Sequence, residues 1–140
     1  TTLNAAKSAI VTIPELKDLK KLTTVNLSET DIPDINGLKD NESITSLTLT
    51  QWEKLTDISV LNTIKKLSTV TMSKCTALND ESIKNAFGTP KSGDKEADLK
   101  FDKSTKLTVT LTGCSKITNF DIFSAYGNMK VDYDKPTTKK

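Results

Sequence analysis

The chain of 140 residues and 15.3 kDa has room for one domain, and at this size it can bury about two-thirds of its unfolded surface without staples. Twenty Lys against eighteen Asp and Glu leave +2, too balanced to drive binding to nucleic acid or an anionic membrane. With no His and no Arg, the usual acid–base shuttle, the commonest metal ligand and the bidentate phosphate fork are all missing, so no catalytic residue, metal or cofactor is expected.

Only 35% of the residues are hydrophobic, and 22 Thr make up much of the difference, a β-branched residue suited to strands. No stretch approaches the ~18 apolar residues of a membrane span, so no membrane insertion is expected. The start, Thr1-Thr2-Leu3-Asn4, lacks the basic and apolar regions of a signal peptide and has no initiator Met, so the chain reads as an excised or processed piece.

From the amino end, Leu3-Asn4-Ala5-Ala6-Lys7-Ser8-Ala9 carries good helix formers and reads as a helical cap. Leu3 and Ala5 also fall on the phase of the repeat that follows, so a degenerate first coil is the alternative. Leu22-Thr23-Thr24-Val25-Asn26-Leu27 has the form L-x-x-L-x-L, and Ile44-Thr45-Ser46-Leu47-Thr48-Leu49 repeats it 22 residues later. Leu67-Ser68-Thr69-Val70-Thr71-Met72 comes 23 further on, then Thr108-Val109-Thr110-Leu111 and a partial copy, Lys130-Val131-Asp132-Tyr133. Ile10, Ile13 and Leu16 each stand 22 residues before Ile32, Ile35 and Leu38. This self-similarity predicts a repeat protein of about five copies over residues 1–133.

No such unit can bury its own apolar face, so stacking must bury Leu22, Val25, Leu27 and their equivalents in one column. The strands then pair in parallel at ~4.8 Å with side chains alternating inward and outward. The outward set is Thr24, Asn26, Ser28; Ser46, Thr48, Thr50; Thr69, Thr71, Ser73; and Thr108, Thr110, Thr112. Val70 to Val109 spans 39 residues, about 17 more than one period, so an insertion near 86–103 is expected. Within that interval Asn79–Gly88 predicts a short helix, with Asn79 or Asp80 as cap, acids in the first turn and Gly88 just past the end. Thr89–Glu96 is polar and rich in breakers, a surface loop, and Leu99 and Phe101 can form a short strand returning to the stack. A full extra coil hidden in this stretch is the alternative. Residues 134–140 read as a tail or linker.

Leu22–Leu38, with Ile32-Pro33-Asp34-Ile35-Asn36-Gly37-Leu38, resembles the 22-residue leucine-rich repeats of the bacterial internalins, roughly L-x-x-L-x-L-x-x-N-x-I-x-x-I-x-x-L. The resemblance covers about residues 3–133. It departs at the Asn position, which here holds Ser8, Thr30, Trp52, Cys75 and Cys114. Cys75-Thr76-Ala77-Leu78 and Cys114-Ser115-Lys116-Ile117 look like the cysteine-containing variant of the repeat. The resemblance implies an α/β solenoid: a short right-handed coil with a parallel concave β-sheet, a mostly irregular or 3₁₀ convex side and one short helix. It also implies a non-catalytic, adhesion-type protein-binding module of a bacterial surface or secreted protein, extracellular or cell-surface, whose partner is a protein of a host or neighbouring cell.

Solenoids bind on the concave surface, which makes Thr24, Asn26, Ser46, Thr48, Thr69, Thr71, Thr108 and Thr110 the candidate ligand-binding residues. Solvent-facing Thr is also simply a good strand residue. Five strands at ~4.8 Å by roughly five residues of ~3.3 Å give only about 400 Å², half of the ~800 Å² a stable interface takes from each partner. Without Arg, Tyr or Phe anchors this face alone binds weakly. Trp52 joins the candidate set if exposed, as a hot spot or sugar-stacking platform; if buried, it fills the turn of the one 23-residue repeat. Cys75 and Cys114 hold equivalent positions, and free thiols are expected because parallel stacking points both Cβ atoms the same way. The pairs Asp31/Asp34 and Asp132/Asp134 read as solvated turn carboxylates, and the sequons Asn26-Leu27-Ser28 and Asn41-Glu42-Ser43 as coincidence. A monomer is expected. A structural spacer within a larger surface protein is the alternative function, with carbohydrate binding a lesser one.

Overall fold

A computed structural model describes residues 1–134; of the tail expected over 134–140 only Asp134 is described, its carboxylate accepting from the Gly113 amide at 2.6 Å, and the rest lies outside the described residues. The chain forms an α/β-type fold around a six-stranded parallel sheet. The strands are β1 (Thr2–Asn4), β2 (Thr24–Asn26), β3 (Ser46–Thr48), β4 (Thr69–Thr71), β7 (Thr108–Thr110) and β8 (Lys130–Asp132), each beside its predecessor in the chain. Their centres pair as Leu3, Val25, Leu47, Val70, Val109 and Val131. The sheet thus has one strand more than five repeats supply. Thr2-Leu3-Asn4 pairs with β2 rather than coiling, so the helical-cap reading is corrected: edge pairing outweighs local helix propensity.

Behind the sheet, Val25, Leu47, Val70 and Val109 form one fully buried row and Leu27, Leu49, Met72 and Leu111 a second. Ile35, Ile58 and Leu38, Leu61 complete the core from the return segments, three of which contain 3₁₀ turns, at Asn36–Leu38, Ser59–Thr63 and Asp121–Ala125. The turn after each strand uses a recurring left-handed residue three places past the strand's end: Lys7, Glu29, Gln51 and Lys74, with φ of 55–58°, and Gly113 at 73°. Side chains cost about 1–2 kcal/mol there and Gly does not.

The predicted helix is α1 (Asp80–Phe87), capped by Asn79 in a capping box with Ser82. It buries Ile83, Ala86 and Phe87. Gly88 follows at φ 104°, where a Cβ would lie 1.7 Å from the Asp98 carbonyl oxygen. Only Gly permits that approach, which pairs β5 (Gly88–Thr89) antiparallel with β6 (Asp98–Leu99). The insertion is therefore a hairpin and not a further coil, since β4 pairs directly with β7. Leu99 does not return to the parallel sheet and Phe101 lies outside any strand, which corrects the expected returning strand. The hairpin is held at its base by Phe87 and Phe101, stacked at 5.3 Å, and by Phe123, edge-on to Phe87 at 4.8 Å. The buried Tyr126 hydroxyl donates to the Phe87 carbonyl and accepts from the Lys100 and Phe101 amides at 3.2 Å.

Candidate functional site

The outward side chains of the sheet form two complete ranks. One runs Thr2, Thr24, Ser46, Thr69, Thr108, Lys130, and the other Asn4, Asn26, Thr48, Thr71, Thr110, Asp132. All eight face residues expected from sequence stand in these ranks, half-buried except for the exposed Thr108. Register brings them together, because the alternation of each strand is locked to its neighbour's by the inward row.

Hydrogen bonding divides the face. On the leading side, Thr23 Oγ1, Thr45 Oγ1 and Ser68 Oγ donate to the carbonyls of Thr1, Thr23 and Thr45 at 2.9–3.3 Å, beside the preceding strand of the sheet each time. On the trailing side, Ser73 Oγ and Thr112 Oγ1 meet at 2.9 Å, and Ser28 Oγ accepts from the Thr50 amide at 3.1 Å. Ser28 is buried, which corrects its placement among the outward residues. Asn26 Oδ1 accepts the Ser28 amide at 3.1 Å, so the chain turns and alternation ends there. Between these flanks, among the described residues, the hydroxyls of Thr2, Thr24, Ser46, Thr48, Thr69, Thr71, Thr108 and Thr110 make no bond to protein and face water. A water-bonded hydroxyl exchanges one hydrogen bond for another on contact, worth about 0.5–1.5 kcal/mol net. Six strands at ~4.8 Å by about five residues cover roughly 480 Å². That is still short of the ~800 Å² expected of a stable interface.

Trp52 is not part of this face. Its side chain is fully buried and the indole N–H donates to the Ile32 carbonyl at 2.8 Å, which corrects its candidacy as an exposed platform. The side chain fills the turn and donates to a backbone carbonyl. The other residues at this position act likewise. Thr30 Oγ1 donates to Leu27 O at 2.9 Å, Cys75 Sγ to Leu49 O at 2.7 Å and Cys114 Sγ to Met72 O at 2.8 Å. Both thiols are buried and free. The neighbouring Cys114 thiol and then burial push the Cys75 thiol well above the ordinary thiol range. Buried, with no His in the chain, neither thiol is set up as a nucleophile.

Elsewhere the polar groups serve the fold. Asp80, beside a depression of about 190 Å³ between α1, Pro90 and Ile122, accepts from Thr118 Oγ1 and N, both at 2.6 Å, and from Asn119 N at 3.0 Å. The Thr118 hydroxyl, ahead of the two amides, holds its carboxyl below the ordinary value. Asn41 of the second sequon is fully buried, its Nδ2 donating to Leu16 O at 2.6 Å, so no glycan fits there. Among the described residues no three His, Cys, Asp or Glu side chains gather as a metal ion would need. No helix among them is long and apolar enough to cross a membrane. Comparisons with protein-family models, with curated proteins and with solved structures found no match.

Proposed function

We propose that the chain is a short leucine-rich-repeat-type coil acting as a non-catalytic, adhesion-type protein-binding module of a bacterial surface or secreted protein. The observation that carries this is the band of eight water-facing hydroxyls, which make no bond to protein while hydroxyls on either side of it are bonded into the fold. The recurrence of 22 or 23 residues between strands outside the insertion supports the coil, and the missing His supports a non-catalytic role. The small area and the absence of an exposed aromatic on the face favour a second reading, a spacer that presents other domains.

The test is attachment of chain-coated beads to candidate host or neighbouring cells, with Thr71→Glu as the face-blocking variant. Attachment lost in Thr71→Glu and after protease treatment of the cells supports the reading. Attachment lost after periodate but not protease assigns carbohydrate instead. Attachment by neither form of the chain leaves the spacer.

A further inference from the structure

The charge on this surface is not spread evenly. Lys20 and Lys21 lead into β2, Lys65 and Lys66 into β4, Lys103 and Lys106 into β7, and Lys130 opens β8. Lys21 and Lys66 each precede their strand by three residues, so they share one edge of the sheet. Backbone and side-chain bonds across the coils fix that edge: Ser43 Oγ donates to Lys20 O at 2.7 Å and Gly127 N to Lys103 O at 3.3 Å. All seven lysines are exposed. Among the described residues only Lys20 is paired, with Glu42 at 3.9 Å. Of the other described lysines, Lys7, Lys17, Lys54, Lys84, Lys91 and Lys100 are each paired with a carboxylate, while Lys39, Lys74, Lys95 and Lys116 have no such partner among the described residues. The edge also carries Asp18, Asp40 and Asp102, the last bonded to Ser104 N and Oγ, so seven lysines stand against four carboxylates.

We infer that this leading edge is a docking rim for an acidic, extended polypeptide segment of the partner, lying beside the open hydroxyl rank. Lys20/Lys21 and Lys65/Lys66 are two strand spacings apart, ~9.6 Å, with Lys103/Lys106 and Lys130 one spacing further each, a row of ~19 Å. About six residues of extended chain at ~3.3 Å cover it. Lys65/Lys66, Lys103/Lys106 and Lys130 stand one strand spacing apart, inside the ~8 Å screening length at physiological salt, and act together; Lys20/Lys21 lie just beyond it. Thr24, Ser46, Thr69 and Thr108 run alongside, where neutral hydroxyls match peptide groups between carboxylates. A nucleic acid finds no Arg fork and, among the described residues, no exposed aromatic to stack on, and a bilayer finds only the half-exposed Leu19 as an apolar contact beside the lysines.

The inference takes from the proposed function only that the partner is a polypeptide. The experiment is fluorescence anisotropy of the whole chain with a labelled oligo-glutamate of about eight residues, long enough to span the row. Oligo-glutamine of the same length, oligo-dT and phosphatidylserine vesicles are the comparison probes. Oligo-glutamate binds and oligo-glutamine does not, and the affinity falls as salt rises. Lys21→Ala/Lys66→Ala/Lys106→Ala weakens binding about tenfold, from three exposed pairs of modest strength. Lys7→Ala/Lys54→Ala/Lys74→Ala, on the opposite edge, changes it less than about twofold, with both melting curves kept. No binding of oligo-glutamate, equal weakening in the two triple variants, or tighter binding of oligo-dT or vesicles overturns the rim. A chain that binds oligo-glutamate through the rim yet attaches to no cell keeps the rim and loses the adhesion reading. The reverse pair of results removes the rim alone.

Discussion

Val70 and Thr71 are adjacent in β4, with neighbouring strands on both sides, and face opposite ways. Val70→Asp removes a fully buried side chain, worth about 1.5–3 kcal/mol. It also places a carboxyl in the apolar row with no donor nearby, which in its neutral form costs about 1–3 kcal/mol more. The loss of ~3–6 kcal/mol is a large share of the ~5–15 kcal/mol a domain has. In a chain of 140 residues each kcal/mol moves Tm by about 3 °C, so the midpoint falls by roughly 10–20 °C. Thr71→Glu acts on a half-buried hydroxyl that bonds only water, so it changes stability by less than about 0.5 kcal/mol and the midpoint by under ~2 °C. Circular dichroism melts of the two variants beside the parent measure both. Equal losses at the two positions would refute the inward–outward phase, and with it the face on which the proposed function stands.

Trp52, the single Trp, should emit at short wavelength and resist iodide in the native state; Trp52→Phe should cost about 1–2 kcal/mol by orphaning the Ile32 carbonyl, and Trp52→Ala ~3–5 kcal/mol, both read from denaturant midpoints. Cys75 and Cys114 should react with a thiol reagent only after denaturation, giving two equivalents, and a native mass lacking two hydrogens would contradict free thiols. The folded Asp80 carboxyl lies below its ordinary value of 3.8, so its stabilisation is present above that pH and lost as pH falls through the folded value. Urea midpoints of parent and Asp80→Asn should therefore differ at neutral pH and converge in acid.

The sheet was legible because stacking couples the same few positions in every period. Val25, Leu47, Val70 and Val109 are apolar for one reason, and their spacing carries the register. What escaped depends on partners distant in sequence or on backbone shape. Leu3–Ala9 has a helix former's composition, yet the β2 edge decides its structure. Of the five left-handed turn residues only Gly113 advertises itself; Lys7, Glu29, Gln51 and Lys74 bear a strain that the stack over-determines. The end of Asn79–Gly88 was readable from a local cap, whereas the pairing of Gly88 with Leu99 rests on a non-local approach. Alternation placed Ser28 outward because a sequence period continues where a strand has stopped. The lysine rim carries no local motif: its members belong to four separate repeats and become neighbours only through register.

The pairings in the large sheet join residues 22, 22, 23, 39 and 22 apart along the chain. Under tension applied to its two ends, such an array loads one pairing at a time and peels from an end inward. Each release pays out about 75 Å of chain at ~3.4 Å per residue, except at the junction of β4 and β7, where the hairpin adds slack and the step is about 130 Å. The Tyr126 hydroxyl pins that slack shut against Phe87. An array built this way yields in graded lengths rather than all at once, with its longest extension stored behind the Phe87, Phe101, Phe123 and Tyr126 cluster.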